Sequence, residues 1–395
     1  MPSTAPGPWL RLTSLAAVGA TVLAVVSGAL DLGTAHRLLS ALALPPLAAL
    51  VLASWFAHRR LLPSASASFV LFGVAALLTE HVLHVASAAL ALTAALLTAT
   101  QTFRGEPAPA SPWSDYVTLT KPRIMVLLLI TGFGGMCVAT QGLPAPGLAA
   151  AAMLGLALAC GGASALNHVL DADIDPLMGP RTRRRPVAAG RVPPSRALEF
   201  GLALSAFSFV LLASTVNVLT ATLALAGNLF YVLVYTRWLK RSTPQNIVIG
   251  GAAGAVPPLV GWAAASGNVT VPALLLFAIV FFWTPPHFWA LALLIKRDYE
   301  AAGIPMLPVV RGVRETTRQI LLYSLLLVAV TAAPVAWGTL GVGYLVAALV
   351  LGAVFVGLAF ALRRDTTPRR ASLLFHFSLL YLALLFAAMA ADVSL

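Results

Sequence analysis

Apolar segments of about 20 residues recur along the whole chain, and they limit its fold more than any other feature of the sequence. An α-helix of that length crosses the hydrocarbon core of a bilayer. The chain is 59% hydrophobic and 10% charged, which excludes an ordinary soluble domain. We predict an all-α polytopic membrane protein, and we expect no cleavable signal peptide because further spans follow the first. The thirteen predicted spans are at roughly 10–30, 37–57, 65–80, 82–102, 122–141, 147–170, 196–216, 218–237, 247–265, 271–295, 317–337, 340–362 and 371–391.

Lysine and arginine are distributed unevenly over the loops that this arrangement creates. Of the 25 residues, 24 fall on one side of the membrane and only Arg37 falls on the other. Cytoplasmic loops carry an excess of Lys and Arg. The net charge of +12 therefore indicates the orientation of a multi-pass protein in a bacterial-type inner (cell) membrane, and we expect no nucleic-acid partner.

One Pro-rich interruption, at residues 103–118, divides the chain. Such clusters of Pro, Gly and Ser are typical of loops between ordered elements. We predict an N-terminal transmembrane extension of about four helices at 1–105, a linker at 106–118, and a nine-helix domain at 119–395. All the strong polar motifs follow the linker.

Three polar side chains lie along one stripe at the end of the sixth predicted span. Asn167, Asp171 and Asp175 are spaced by four residues, which places them on one helical face, roughly 6 Å apart. Pro176 disfavours helix at the residue before it, so the carboxylates crowd the helix C-terminus. That end of the helix dipole is negative, and a cation is therefore expected there.

The residue types of this stripe and its surroundings indicate a diphosphate site. Oxygen ligands suit Mg²⁺, which proteins usually hold through one or two carboxylates together with substrate phosphates. Arginines, whose forked donors match phosphate oxygens, follow the stripe at Arg181, Arg183, Arg184 and Arg185. We predict a lipid diphosphate site at the cytoplasmic membrane surface. The alternative is an acidic helix end that forms salt bridges with a basic loop.

The pattern Asn-x-x-x-Asp-x-Asp-x-Asp at 167–175, followed by Met178, Arg181 and Pro186, resembles the first aspartate motif of the UbiA superfamily of intramembrane prenyltransferases. Further segments, in the same order, are similar to the protohaem IX farnesyltransferases (haem O synthases) within it. These segments are residues 119–123, 235–247, 250–262, 283–289 and 296–308. The resemblance covers about 115–395.

This resemblance implies nine helices around a central cavity whose mouth faces the cytoplasm. It implies transfer of the farnesyl group of farnesyl diphosphate to a vinyl group of protohaem IX (haem b), with addition of water, to give haem O for terminal oxidases. Asn167, Asp171 and Asp175 are the implied catalytic and Mg²⁺-binding residues. Those implied to contact the diphosphate are Arg181, Arg183, Arg184, Arg185, Lys240, Arg241 and Lys296.

The second polar motif departs from the superfamily pattern, in which two aspartates stand four residues apart. Here Ala302 follows Asp298 at that spacing. Asp298 is still expected to hold metal, but the change puts a symmetric two-metal site in doubt. The alternatives are a juxtamembrane charge at Asp298 paired with Arg297, and ordinary flanking charges at Lys240 and Arg241.

Haem is expected to bind at one of two histidines. His287 lies in an aromatic stretch broken by Pro285 and Pro286, and His168 lies beside the aspartate stripe. Imidazole is a common axial ligand of haem iron. A hydrogen-bonded core histidine is the alternative for each.

Around His36 and His84, the N-terminal extension faintly resembles half of a haem A synthase-like four-helix unit. The resemblance implies either a degenerate remnant with a structural role or an external haem site. It also makes haem A synthase a candidate partner.

Two other functions fit parts of the sequence. A UbiA-type prenyltransferase for a quinone precursor would share the aspartate stripe, although residues 285–287 argue against it. A non-enzymatic haem carrier or oxidase-assembly protein has no need of that stripe. Mg²⁺-dependent turnover would separate the enzymes from the carrier.

Overall fold

The computed structural model describes residues 8–29, 34–57, 61–77, 81–102 and 111–394. Every regular element within these ranges is helical, which confirms the predicted all-α class. Ten of the described helices are long and apolar enough to cross a membrane. The protein is therefore a multi-pass membrane protein, and the number of thirteen spans stays a prediction.

The helices follow the predicted spans along the chain. Before the gap at 103–110 lie α1 (Pro8–Ala29), α2 (Thr34–Ala57), α3 (Leu62–Leu77) and α4 (His81–Thr102). After it lie α5 (Trp113–Leu119), α6 (Pro122–Thr140), α7 (Pro146–Leu170), α8 (Pro180–Arg183), α9 (Pro194–Thr215), α10 (Val218–Leu229), a π-helical segment (Phe230–Leu239), α11 (Lys240–Ser242), α12 (Asn246–Ser266), α13 (Val271–Leu294), α14 (Lys296–Ala301), α15 (Leu307–Val310), α16 (Gly312–Ala336), α17 (Val342–Arg364) and α18 (Pro368–Asp392).

Two features differ from the sequence-based expectation. Helix α13 runs without a break through Pro285 and Pro286, because an internal proline removes one backbone donor and membrane helices tolerate that loss. Part of the expected linker is also ordered, since Trp113–Leu119 forms α5. Residues 103–110 lie outside the described ranges, so the domain boundaries stay predictions.

Close backbone packing joins α6 to α12 in the middle of the bundle. A Cβ atom on Gly261 would collide with the carbonyl oxygen of Gly132. Without a hydrophobic driving force between helices in lipid, such close approach of small residues supplies much of the packing energy. This contact fixes α12, which follows the π-helical segment that carries part of the site.

The described parts of α1–α4 pack together and contact the rest of the protein through α9. Val25 and Leu92 from the N-terminal helices form a small buried cluster with Ala206 and Val210 of α9. Helix α9 packs in turn along α7, which ends at the aspartate stripe. The N-terminal helices therefore support the site from behind α9.

Candidate active site

The three residues of the predicted stripe come together in a buried cluster where α7 ends. Asp171 follows the last residue of α7, and its amide donates to the carbonyl oxygen of Asn167. The next turn keeps the helical spacing, because the amide of Asp175 donates to the carbonyl of Asp171 at 2.9 Å. The exposed fractions of Asn167, Asp171 and Asp175 are only 3%, 1% and 1%. Carboxylates buried to this degree require cationic partners.

Lys240 is the partner of Asp171. Its Nζ donates to Asp171 Oδ2 at 2.6 Å, and Asn167 Nδ2 donates to the same oxygen at 2.9 Å. The π-helical segment ends at Leu239, immediately before Lys240, and its Thr236 hydroxyl accepts from Asn167 Nδ2 at 3.2 Å. π-Helical turns are rare and are found mostly at functional sites.

Arg185 is the partner of Asp175. Its guanidinium lies 2.7 Å from Asp175 Oδ1. Burial raises the pKa of the Asp175 carboxyl, and the Arg185 charge opposes that rise. The sequence predicted that this arginine contacts a diphosphate, and the structure shows it bonded to Asp175 of the stripe.

Lys121 completes the cluster and was not among the predicted site residues. It precedes α6 in a left-handed backbone conformation (φ 50°), and its Nζ donates to Asn167 Oδ1 at 2.7 Å. Burial, followed by the nearby Arg185 charge, lowers the pKa of Lys121 to about 7. Its position in the segment 119–123, which resembles the family, was the sequence signal for a role of Lys121 in the site. Lys121 is, however, 46 residues from Asn167 in sequence, so the contact between them was not predictable.

Two carboxylate oxygens in this cluster have no hydrogen-bond partner. They are Asp171 Oδ1 and Asp175 Oδ2, and both are buried. Within the described ranges, no three His, Cys, Asp or Glu side chains group closely enough to hold a metal ion alone. Two carboxylates with unused oxygens fit Mg²⁺, which usually takes its remaining ligands from water and substrate phosphates.

The arginine-rich loop after the stripe is held by its own side chains. Arg183 Nε donates to the carbonyl oxygens of Pro176 and Met178, which closes the turn that carries Asp175. Arg191 forms an ion pair with the buried Asp115 of α5 and donates to the carbonyl of Arg184 at 3.1 Å. The loop is thus fixed to α5. Arg181 and Arg184 are exposed.

Arg241 lies beside the cluster but is already bound. Both of its terminal nitrogens contact the Asp173 carboxylate, at 2.6 and 2.7 Å, and one also donates to the carbonyl of Leu170 at 2.6 Å. The Arg241 hydrogen bond holds the pKa of the exposed Asp173 carboxyl below its usual value. Arg241 therefore neutralises the C-terminal end of α7.

The second motif meets the first through Gly179. A Cβ atom on Gly179 would lie 2.5 Å from Asp298 Oδ2, so a larger residue there would push the Asp298 carboxylate away from this loop. Lys296 forms an ion pair with Glu300 at 3.1 Å instead of contacting the stripe. Tyr299 lies at the same mouth, where burial raises its pKa to about 12.

Comparison with known proteins decides the family. The model of the UbiA prenyltransferase family matches residues 128–385, about two thirds of the chain. The chain belongs to the UbiA prenyltransferase family.

Named relatives within this family are close in sequence. "Protoheme IX farnesyltransferase" of Symbiobacterium thermophilum is 58% identical over 283 residues, which cover 71% of this chain and 94% of that protein. The protein of the same name from Gloeobacter violaceus is 51% identical over 290 residues, or 95% of its length. The chain spans only about half of other relatives of that name, such as 55% of the Roseiflexus sp. protein, to which it is 52% identical.

Solved structures agree on the UbiA prenyltransferase fold. A UbiA homolog from Aeropyrum pernix K1 has a TM-score of 0.56 and 22% identity, covering 68% of this chain and 98% of that chain. A UbiA homolog from Archaeoglobus fulgidus bound to DMAPP and Mg²⁺ has a TM-score of 0.51 and 16% identity, covering 70% and 99%.

The two histidines predicted to bind haem have different surroundings in this UbiA prenyltransferase. His287 is packed between Trp283 and Phe375, and its Nδ1 lies 2.6 Å from Ser378 Oγ. His168 is 1% exposed, and neither of its ring nitrogens has a hydrogen-bond partner. Both are buried within the UbiA domain, and haem ligation by either stays a prediction.

The histidines of the N-terminal extension do not define a haem site. His36 Nδ1 lies 3.1 Å from the carbonyl oxygen of Ala24 and 3.2 Å from the Ser27 hydroxyl, both on α1. The side chain of His84 lies outside the described residues, so the expected pairing of the two stays a prediction.

Proposed function

We propose that this UbiA prenyltransferase is a protohaem IX farnesyltransferase. It transfers the farnesyl group of farnesyl diphosphate to a vinyl group of haem b, and water is added to give haem O. The names and the high identity of the S. thermophilum and G. violaceus relatives, which are matched over nearly their whole length, support this reaction.

The observation that carries the proposal is the cluster of buried charges at the end of α7. Two carboxylates with unused oxygens lie beside Lys121, Arg185 and Lys240. A structural salt-bridge cluster would use every buried carboxylate oxygen. This cluster leaves two oxygens for a metal, and three basic side chains contact the same stripe.

Asp171 and Asp175 would hold Mg²⁺, assisted by Asn167 and, across Gly179, by Asp298. The A. fulgidus homolog solved with DMAPP and Mg²⁺ supports a metal in this family. When bound, Mg²⁺ neutralises charge on the leaving diphosphate oxygens. We assign Lys121, Lys240 and Arg185 to the diphosphate, with the exposed Arg181 and Arg184 at the entrance. Arg183, Arg241 and Lys296 are assigned a supporting role because their partners lie outside the stripe: the Pro176 and Met178 carbonyls, the Asp173 carboxylate and Glu300.

The chain's own residues then favour ionisation of the allylic C–O bond. The diphosphate leaves with the bonding electron pair and is stabilised by the fixed cations. The vinyl group of haem attacks the farnesyl carbon, and water then adds to the resulting cation with loss of one proton. An apolar interior would keep water from the allylic cation before the vinyl group reaches it.

We assign the cluster to the cytoplasmic face of a bacterial-type inner membrane. Its cations belong to the loops that carry 24 of the 25 Lys and Arg residues. Haem A synthase stays a candidate partner, because it would consume the product.

The test uses purified protein in detergent with farnesyl diphosphate, Mg²⁺ and haem b, analysed by mass spectrometry. We expect a haem product heavier by one farnesyl group plus one hydroxyl group, and no product when EDTA is present. A parallel reaction with hydroxybenzoate and naphthoate acceptors gives the contrary outcome. Prenylation of those acceptors, and not of haem, would overturn the proposal, as would haem binding without turnover of any acceptor.

A further inference from the structure

His287 is held rigidly inside the UbiA domain. It lies seven residues before the end of α13, about 10 Å along the helix axis from the end that carries the second motif. Its ring stacks on Trp283 at 4.4 Å and on Phe375 at 4.8 Å, with interplanar angles of 16° and 23°. Phe288 meets it edge-on at 5.2 Å. Rings on both faces leave only the imidazole edge for a ligand.

Ser378 of α18 determines which nitrogen of this ring carries the proton. The Ser378 hydroxyl lies 2.6 Å from the carbonyl oxygen of Phe375, and a carbonyl can only accept. The single hydroxyl hydrogen is therefore used in that bond. His287 Nδ1 also lies 2.6 Å from Ser378 Oγ, so Nδ1 must be the donor. The backbone carbonyl of Ser378 accepts from Trp283 Nε1 at 2.8 Å, which gives α13 and α18 a second hydrogen bond at this residue.

This arrangement leaves Nε2 with an unshared electron pair. No described residue hydrogen-bonds to Nε2, although His287 is only 7% exposed. Unlike both ring nitrogens of His168, which are buried without a partner, Nε2 of His287 is not closed off, so it is the edge of this ring that a ligand can reach. A neutral imidazole whose other nitrogen donates to an oxygen is the usual form of a metal-ligating histidine.

We propose that Ser378 positions His287 so that Nε2 ligates the iron of the porphyrin substrate. The proposal rests on the proposed function, which makes haem b the acceptor. Iron coordination fixes the plane and depth of the porphyrin below the diphosphate site and so selects the vinyl group that reaches the farnesyl carbon. No covalent bond is broken in this step. Ser378 is a positioning residue, because it acts through His287.

The first measurement is the absorption and magnetic circular dichroism spectrum of haem b bound to the purified chain, in the wild type and five variants, of which His168→Asn tests the rival histidine. His287→Asn keeps an N–H donor near Ser378 and removes Nε2, so it separates ligation from folding. We expect it to abolish the histidine-ligated spectrum and to weaken haem binding by about 10- to 100-fold. Ser378→Ala should weaken binding by about 10-fold, and Ser378→Thr, which keeps the hydroxyl, should restore it. His376→Ala, at an exposed histidine on α18, is the matched control and should leave the spectrum unchanged.

Product analysis on the same samples separates this proposal from the function it rests on. Wild-type farnesylation of haem together with an unchanged spectrum in His287→Asn would overturn the ligand while the function stands. A spectrum that is lost only in His168→Asn would overturn it in favour of His168. A spectrum lost in His287→Asn, with no wild-type product, would confirm the ligand and overturn the function.

Discussion

The N-terminal helices and the UbiA domain bury polar groups in different ways. In the described part of α1–α4, the buried polar side chains are all Ser or Thr. Several donate to carbonyls of their own helix, as Thr21 does, while Ser68 donates to the Ala91 carbonyl of α4 and Ser14 contacts Thr102 at 3.1 Å. In the UbiA domain, by contrast, Asp171, Asp175 and Lys240 are buried as charges.

The difference shows where the burial of polar groups costs more free energy than helix packing requires. A hydroxyl that bonds a carbonyl within its own helix is readily accommodated in a membrane. Removing a carboxylate and its cation from water costs on the order of several kcal/mol per ion, and their mutual attraction must offset that cost. Such a cluster is therefore evidence of function, whereas the hydroxyls of α1–α4 are evidence of helix packing.

The largest expected effect concerns the stripe. Asp171→Asn and Asp175→Asn should each lower product formation by about 10³-fold, because several kcal/mol of charge stabilisation are lost. Asp173→Asn is the matched control, since Asp173 lies in the same motif but is exposed and bonded to Arg241. Its activity should stay within about a few-fold of the wild type, because an exposed ion pair contributes little free energy. Equal losses in all three variants would remove the distinction between stripe and loop.

A stability measurement tests the cost of the buried charges in the UbiA domain. Lys240→Met leaves the Asp171 charge buried without its 2.6 Å partner and should destabilise the protein by about 3–5 kcal/mol. The double variant Lys240→Met with Asp171→Asn contains no unpaired charge and should recover most of that loss. Thermal unfolding in detergent measures both. A double variant no more stable than Lys240→Met would show that the pair is not the source of the cost.

The loop anchor should have a moderate effect. Arg191→Gln removes the contacts to Asp115 and to the Arg184 carbonyl, so the arginine loop is less well positioned. We expect KM for farnesyl diphosphate to rise by about 10-fold, with kcat nearly unchanged, because positioning is lost and not chemistry. Arg363→Gln, an exposed arginine at the end of α17, serves as control. A fall in kcat alone would contradict this role.

The smallest effect is expected in the N-terminal helices. Ser14→Ala removes the contact between α1 and α4 and should cost about 0.6 kcal/mol, the average for hydrogen bonds between membrane helices. Farnesylation of haem should be unchanged. A loss of activity comparable with that of Asp171→Asn would mean that the extension takes part in the reaction and would end the contrast between the two regions.

The sequence was sufficient for the helical class, the family and the shared face of Asn167, Asp171 and Asp175, because these follow from local spacing and motifs. It did not predict the partner of each charge. Lys121 meets Asn167 across 46 residues, and Lys240 meets Asp171 across 69. Such contacts depend on which helices are neighbours, which periodicity does not reveal.

The same limit applies to Arg241 and to the helix of His287. The sequence predicted a diphosphate contact for Arg241 but not its contacts with the Asp173 carboxylate and the Leu170 carbonyl. The prolines before His287 suggested a broken helix, but α13 is continuous through both of them.

The central claim is that Asp171 and Asp175 hold a metal together with a diphosphate and not alone. Electron paramagnetic resonance of Mn²⁺, used as a probe for Mg²⁺, tests this directly on the purified chain, with and without inorganic diphosphate. We predict tight Mn²⁺ binding only when diphosphate is present, and its loss in Asp171→Asn. Tight binding without diphosphate, or binding that survives Asp171→Asn, would contradict the account.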